Sequence, residues 1–166
     1  RKQSRSQKDH VSDLIMEEFD VTIIGAGLAG LQCARLLGRQ GLRVLLVDRK
    51  ASLHQKIHTT GIFVRRTLED FDIPEDCLGP VVRHVSLYSP QHRLLQLESK
   101  HDEFRVGRMG RLYSRYLGQC LHAGVEWLPE TSYIDSSESG RTSIVRLNIG
   151  SSVRSVTTKF IIGADG

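Results

Sequence analysis

Asp20-Val21-Thr22-Ile23-Ile24-Gly25-Ala26-Gly27-Leu28-Ala29-Gly30 starts as an apolar run and ends in a glycine-rich turn, and the fold follows from how this stretch continues. Phe19 to Ile24 is rich in β-branched residues and predicts a buried strand, ended by Gly25. From Leu28 to Gln40 the apolar residues Leu28, Leu31, Ala34 and Leu37 recur at helical spacing, and Gly41 closes the helix. Leu42 to Val47 is a second, nearly continuous apolar run, the pattern of a strand covered on both faces. Strand, helix and strand in this order make a βαβ unit.

The glycines of Gly25-x-Gly27-x-x-Gly30 have separate tasks. Gly25 permits a tight turn, Gly27 lets the backbone approach a pyrophosphate, and Gly30 lets helix and strand pack closely. The unpaired N–H groups and the dipole of a helix N-terminus favour the negative phosphates. The turn from Gly25 through Ala26, Gly27, Leu28 and Ala29 to Gly30 is therefore a candidate pyrophosphate site. Asp48 ends the second strand 23 residues after Gly25, where a carboxylate can accept hydrogen bonds from a ribose. The pattern indicates a dinucleotide and does not separate NAD from FAD.

The rest of the chain reads as one α/β domain over 16–166. The βαβ unit fills 16–52, and an excursion over 53–107 would lead toward the substrate. A helix, a meander and a returning strand occupy 108–166. In the excursion a short helix is expected near Val64–Phe71. A hairpin follows, with strands Val81–Ser89 and Arg93–Glu98 turning at Pro90-Gln91. Arg111–His122 reads as a helix capped by Gly124, and Val125–Leu128 as a strand. Three more strands follow over Thr131–Asp135, Ser143–Ile149 and Val153–Ile162, with turns at 136–140 and 150–152.

The stretch from Asp20 to Gly30, with Arg39-Gln40-Gly41-Leu42-Arg43-Val44 and Val47-Asp48-Arg49, resembles the N-terminus of FAD-dependent oxidoreductases. Lys159-Phe160-Ile161-Ile162-Gly163-Ala164-Asp165-Gly166 resembles a second fingerprint of their p-hydroxybenzoate hydroxylase-like branch, which includes the geranylgeranyl reductases. Residues 56–71 resemble the reductases' segment after the second strand, with Thr59 or Thr60 where many of them carry a cysteine.

The resemblance implies a Rossmann-like FAD/NAD(P)-binding fold with an inserted hairpin and meander, stopping short of the family's C-terminal motifs. It implies FAD as cofactor and NAD(P)H as reductant. Arg49 would stand beside the ribose acid, with Asp165 near the flavin. Arg111, or less favoured Arg108, would contact the cofactor from the start of a helix. The substrate would be a small, hydrophobic molecule. Without the later flavin-binding motif, residues 1–166 would hold the ADP half and turn over little by themselves.

Composition narrows the classes. The chain has 39% hydrophobic and 25% charged residues, ordinary for a globular domain. No run approaches the roughly 18 apolar residues of a membrane span, and residues 1–15 lack a signal-peptide core. They read as a disordered leader or as sequence added upstream of Met16. The net charge of +4 comes from dispersed cations with acids between them, so no nucleic-acid partner is expected. Cys33, Cys77 and Cys120 are far apart and odd in number, which fits a reducing cytoplasm. His54 and His58 lack a third ligand, so no metal is expected. Neither catalytic residues nor an oligomeric state can be read.

Overall fold

The computed structural model describes residues 16–54 and 57–166. The expected leader over 1–15 lies outside the described residues. β1 (Glu18–Ile24), α1 (Leu28–Arg39) and β2 (Val44–Val47) form the βαβ unit, with β1 and β2 parallel and Ile23 opposite Leu46. After the excursion, α3 (Met109–His122) leads into β8 (Glu126–Leu128), which joins β2 in parallel. β9 (Thr131–Ser139), β10 (Thr142–Ile149) and β11 (Ser152–Gly163) form an antiparallel meander. The sheet order is β8-β2-β1-β11-β10-β9.

β11 belongs to two structures at once. Its first half closes the meander, and from Thr157 onward it runs parallel to β1, with Ile23 opposite Ile162. Leu31, Ala34, Leu112, Tyr116 and Cys120 of the two helices pack on Val21, Ile23, Val44 and Leu46. On the other face, Val145, Leu147 and Val156 of the meander pack with Phe19, Leu45 and Val47. β2 is buried along its whole length, which explains its continuous apolar sequence.

The helices approach closely because α1 presents small residues. A Cβ on Gly38 would lie 2.8 Å from Val125 Cγ2 and 3.2 Å from Ala123 Cβ. In the same interface the Cys120 thiol donates to the Leu31 carbonyl at 3.3 Å. Burial pushes that thiol's pKa up to about 11, so it stays protonated.

The excursion differs from the sequence expectation. α2 (Arg65–Asp70) lies where a short helix was expected. The single expected strand Val81–Ser89 is two strands in two sheets. β4 (Leu78–Val82) pairs with β7 (Phe104–Gly107), which also pairs with β3 (Ile62–Val64). β5 (His84–Tyr88) pairs instead with β6 (Leu94–Glu98). Alternation alone cannot show that the partner changes at Arg83. In the meander β9 runs on to Ser139, and the turn shrinks to Gly140 and Arg141. Among the described residues no helix is long and apolar enough to cross a membrane.

Asp20 fastens three strands. Its carboxylate accepts the Arg43 amide at 2.8 Å and pairs with Lys159 Nζ at 2.7 Å. The Lys159 ammonium, and after it the Arg43 amide, hold the Asp20 pKa below the usual carboxylate range. A depressed folded-state pKa contributes stability above about pH 4 that is lost as pH falls through the folded value. Asp20→Asn should therefore flatten the acid limb of a stability-versus-pH curve below about pH 4. Thr22 gives a second test. Its hydroxyl is fully buried and has no hydrogen-bond partner among the described residues, so Thr22→Val should raise the denaturation free energy by about 1 kcal/mol.

Candidate functional site

The end of β1, the start of α1, the end of β2, the start of β9 and the end of β11 meet around a cleft of about 380 Å³. Gly25, Gly27, Asp48, Arg49, Tyr133 and Asp165 are among its lining residues. The cleft lies beyond the carboxyl ends of β1 and β11. The chain leaves β1 toward β2, while β11 joins on the other side, and open α/β sheets bind ligands at such a switch point.

Each glycine has a different physical reason. Gly25 has φ +105°, and a Cβ there would meet the Ala164 carbonyl oxygen at 2.5 Å. A Cβ on Gly30 would lie 1.9 Å from the Gly25 carbonyl oxygen, so this glycine closes the turn against its helix. Gly27 is unlike both: the nearest atom to a Cβ would be the Ala164 oxygen at 3.9 Å, and the residue lines the cleft. The space it leaves is open to a ligand.

Gly27 is also the N-cap of α1, without a side-chain cap or an acid in the first turn. The first helical bond comes from the Leu31 amide to the Gly27 carbonyl at 2.9 Å. The amides of Leu28, Ala29 and Gly30 are thus the free donors of the helix end, and the helix dipole adds partial positive charge there.

Asp48 sits at the cleft's other side, half-buried. Its Oδ2 accepts the Ala26 amide at 2.8 Å and its Oδ1 accepts the Lys50 amide at 2.8 Å. A carboxylate offers about four acceptor positions, so the two bonds that fix its orientation leave capacity for a ribose diol. The same bonds show that the Ala26 amide is already engaged. The donor set, the open Gly27 position and this acceptor together fit a nucleotide diphosphate.

The structure thus brings Gly25, Gly27, Asp48, Arg49 and Asp165 to one cleft. Ala26, Leu28, Ala29 and Gly30 shape the turn behind it. Arg111 is not brought to this cleft; its guanidinium donates to the Asp76 carbonyl at 3.0 Å. Arg108 reaches the same carbonyl at 3.4 Å, and Arg115 pairs with the Asp76 carboxylate at 2.7 Å. Thr131, Ser132 and Tyr133 also line the cleft and were not expected from sequence. A wider, open groove of about 530 Å³ lies at the other ends of α1 and α3, lined by Gly38, Arg39, Arg115 and His122. It lacks the free helix amides, and its Arg39 and His122 occupy last helical turns, where cations offset the negative end of the dipole.

Comparison with known proteins agrees with this geometry. Residues 18–73 match the family described as the FAD binding domain. Geranylgeranyl diphosphate reductase of Rhodobacter capsulatus is 30% identical over 152 residues, 90% of this chain and 38% of that protein. The 3-(3-hydroxy-phenyl)propionate/3-hydroxycinnamic acid hydroxylase of Paraburkholderia xenovorans is 27% identical over 89% of this chain and 26% of its own length. Among solved structures, a geranylgeranyl bacteriochlorophyll reductase-like protein of Thermoplasma acidophilum superposes with a TM-score of 0.78 at 18% identity. That match covers 91% of this chain and 40% of the other. The chain spans two fifths or less of the length of these relatives. The resemblance to FAD-dependent oxidoreductases holds, and the fold is the Rossmann-like FAD-binding fold.

Two glycine variants separate fold from ligand. Gly30→Ala should destabilise the protein by several kcal/mol, because the Gly25 backbone blocks the new methyl. Gly27→Val should leave the unfolding midpoint nearly unchanged and abolish nucleotide retention. Parallel denaturation and flavin-release measurements check both.

Proposed function

We propose that this chain is the N-terminal, FAD-binding part of a flavin-dependent oxidoreductase that draws electrons from NAD(P)H and acts on a small hydrophobic molecule. The observation that carries this reading is the free amide set of the α1 N-terminus, facing Asp48 across a cleft that Gly27 leaves open. In it the amides of Leu28, Ala29 and Gly30 bind the pyrophosphate, Asp48 accepts from the adenosine ribose, and Arg49 adds positive charge beside it. Asp165, on the opposite rim, faces the flavin half. Arg111 is assigned to the flavin as well and would have to leave the Asp76 carbonyl to reach it. When bound, FAD supplies the redox chemistry, and the protein supplies binding, orientation and electrostatics.

Reduction of an isoprenoid alkene is the favoured reaction. Its support is the similarity to the Rhodobacter capsulatus reductase across 90% of this chain, together with the Thr59-Thr60-Gly61 segment. Aromatic hydroxylation is the second reading, supported by the hydroxylase similarity. The three cysteines are unpaired, which suits the proposed reducing cytoplasm.

The test is a visible absorption spectrum of the purified protein, with released cofactor identified by chromatography. Flavin bands and free FAD are expected. A colourless protein that refuses added FAD would instead indicate a nicotinamide-binding or vestigial module. In the protein extended to the end of its reading frame, NADPH with an isoprenoid should yield a saturated product. Oxygen incorporated into an aromatic substrate would establish hydroxylation instead.

A further inference from the structure

Three residues that line the cleft, Thr131, Ser132 and Tyr133, have no part in the assignments above. Their position is fixed through the ribose acid itself. Asp48 donates its amide to the Leu128 carbonyl at 3.2 Å, and the Asp48 carbonyl accepts the Thr131 amide at 2.9 Å. Between them Glu130, in the left-handed region at φ +51°, donates its amide to the Lys50 carbonyl at 3.4 Å. The β8–β9 turn is thereby clamped over Asp48–Lys50, and β9 leaves it as a wall of the cleft.

Two of the three side-chain hydroxyls of this wall are engaged. The Thr131 hydroxyl donates to the Pro129 carbonyl at 2.8 Å, and the Tyr133 hydroxyl shares a hydrogen bond with Ser136 Oγ at 2.9 Å. Ser132 carries the remaining hydroxyl, which can rotate to donate or to accept. What the wall offers in quantity is the body of Tyr133, still 41% exposed. Tyr133 stands opposite Leu147 in the β9–β10 register. Paired residues share a sheet face, and Leu147 belongs to the core against β2. Tyr133 therefore lies on the inner face of the meander, at the edge where that core opens into the cleft.

We propose that Tyr133 is the stacking platform for the nucleotide base, and that this end of the site selects an aromatic base by its π-face and not by its hydrogen-bond pattern. The proposal rests on the FAD reading of the same cleft. With Asp48 on the ribose and the α1 amides on the pyrophosphate, the base falls on the β9 side, away from Asp165. Stacking on an aromatic side chain tolerates any base and is worth on the order of ten- to a hundred-fold in affinity. A pocket built to hydrogen-bond its ligand would discriminate by on the order of ten-thousand-fold.

The experiment is calorimetric binding of ADP, IDP, GDP and ribose 5-diphosphate to the purified protein stripped of cofactor. ADP, IDP and GDP are expected within about ten-fold of one another, and all about ten-fold or more tighter than the baseless diphosphate. Tyr133→Phe should preserve that advantage. Tyr133→Leu, which keeps apolar bulk without a ring, and Tyr133→Ala should remove it while leaving the affinity for ribose 5-diphosphate unchanged. ADP favoured over IDP by about a hundred-fold or more, or a leucine variant that keeps the full base advantage, would overturn the stacking role while FAD binding stood. A wild-type protein that binds neither FAD nor any of the diphosphates would overturn both readings together.

Discussion

The Ala164 amide donates to the Ile24 carbonyl at 2.7 Å, and the Ala164 carbonyl oxygen stands 2.5 Å from where a Cβ on Gly25 would be. This approach of the end of β11 to the end of β1 fixes the rest. It holds the turn after β1 in a conformation that a side chain would strain, and so aims α1 back across β2. It brings Asp165 to the rim opposite Asp48. It also requires β11 to be long enough to leave the meander and enter the parallel sheet, so the layer that buries Leu45 and Val47 depends on the same contact.

The βαβ unit was legible because each of its signals is local. The apolar run of β1, the helical spacing of α1 and the position of Asp48 all lie within one short stretch, and the structure places them close to where the sequence puts them. The excursion was legible only in part. β3 has three residues and β7 four, too few for alternation to register, and their pairing is set by contacts distant in sequence. Gly107 shows the constraint: a Cβ there would come within 2.5 Å of the Phe63 ring. The change of partner at Arg83 divides an apolar run that reads as one strand. The polar end of β9, Ser136 to Ser139, reads as a turn because an edge strand facing solvent needs no apolar alternation.

The candidate site divides along the same line. Gly27 and Asp48 carry recognisable patterns, whereas the wall from Thr131 to Tyr133 carries none. It reaches the cleft because backbone bonds tie it to Asp48 and Lys50, and backbone bonds leave no trace in residue type. Arg111 shows the converse. The start of a helix is a sound place for a cation that meets an anionic cofactor, yet this guanidinium is engaged by a carbonyl in the turn before β4. Asp76 supplies that carbonyl and is 35 residues away, so no reading of the helix alone could find it.

The three glycines of the motif are not equivalent evidence. Gly25 is required by its positive φ and by the Ala164 carbonyl, and Gly30 by the Gly25 carbonyl. Both would be needed by this fold whether or not anything bound. The Ala26 amide and the Asp48 carboxylate bond to each other, so even the pairing of turn and acid has a structural use. Of these three glycines, only Gly27 leaves room that no other atom of the protein fills. There a β-carbon would meet nothing closer than 3.9 Å, next to helix amides that have no partner within the first turn. Gly27 is therefore the one glycine of the three whose presence argues for a ligand, and it points to a bound diphosphate more strongly than the motif as a whole does.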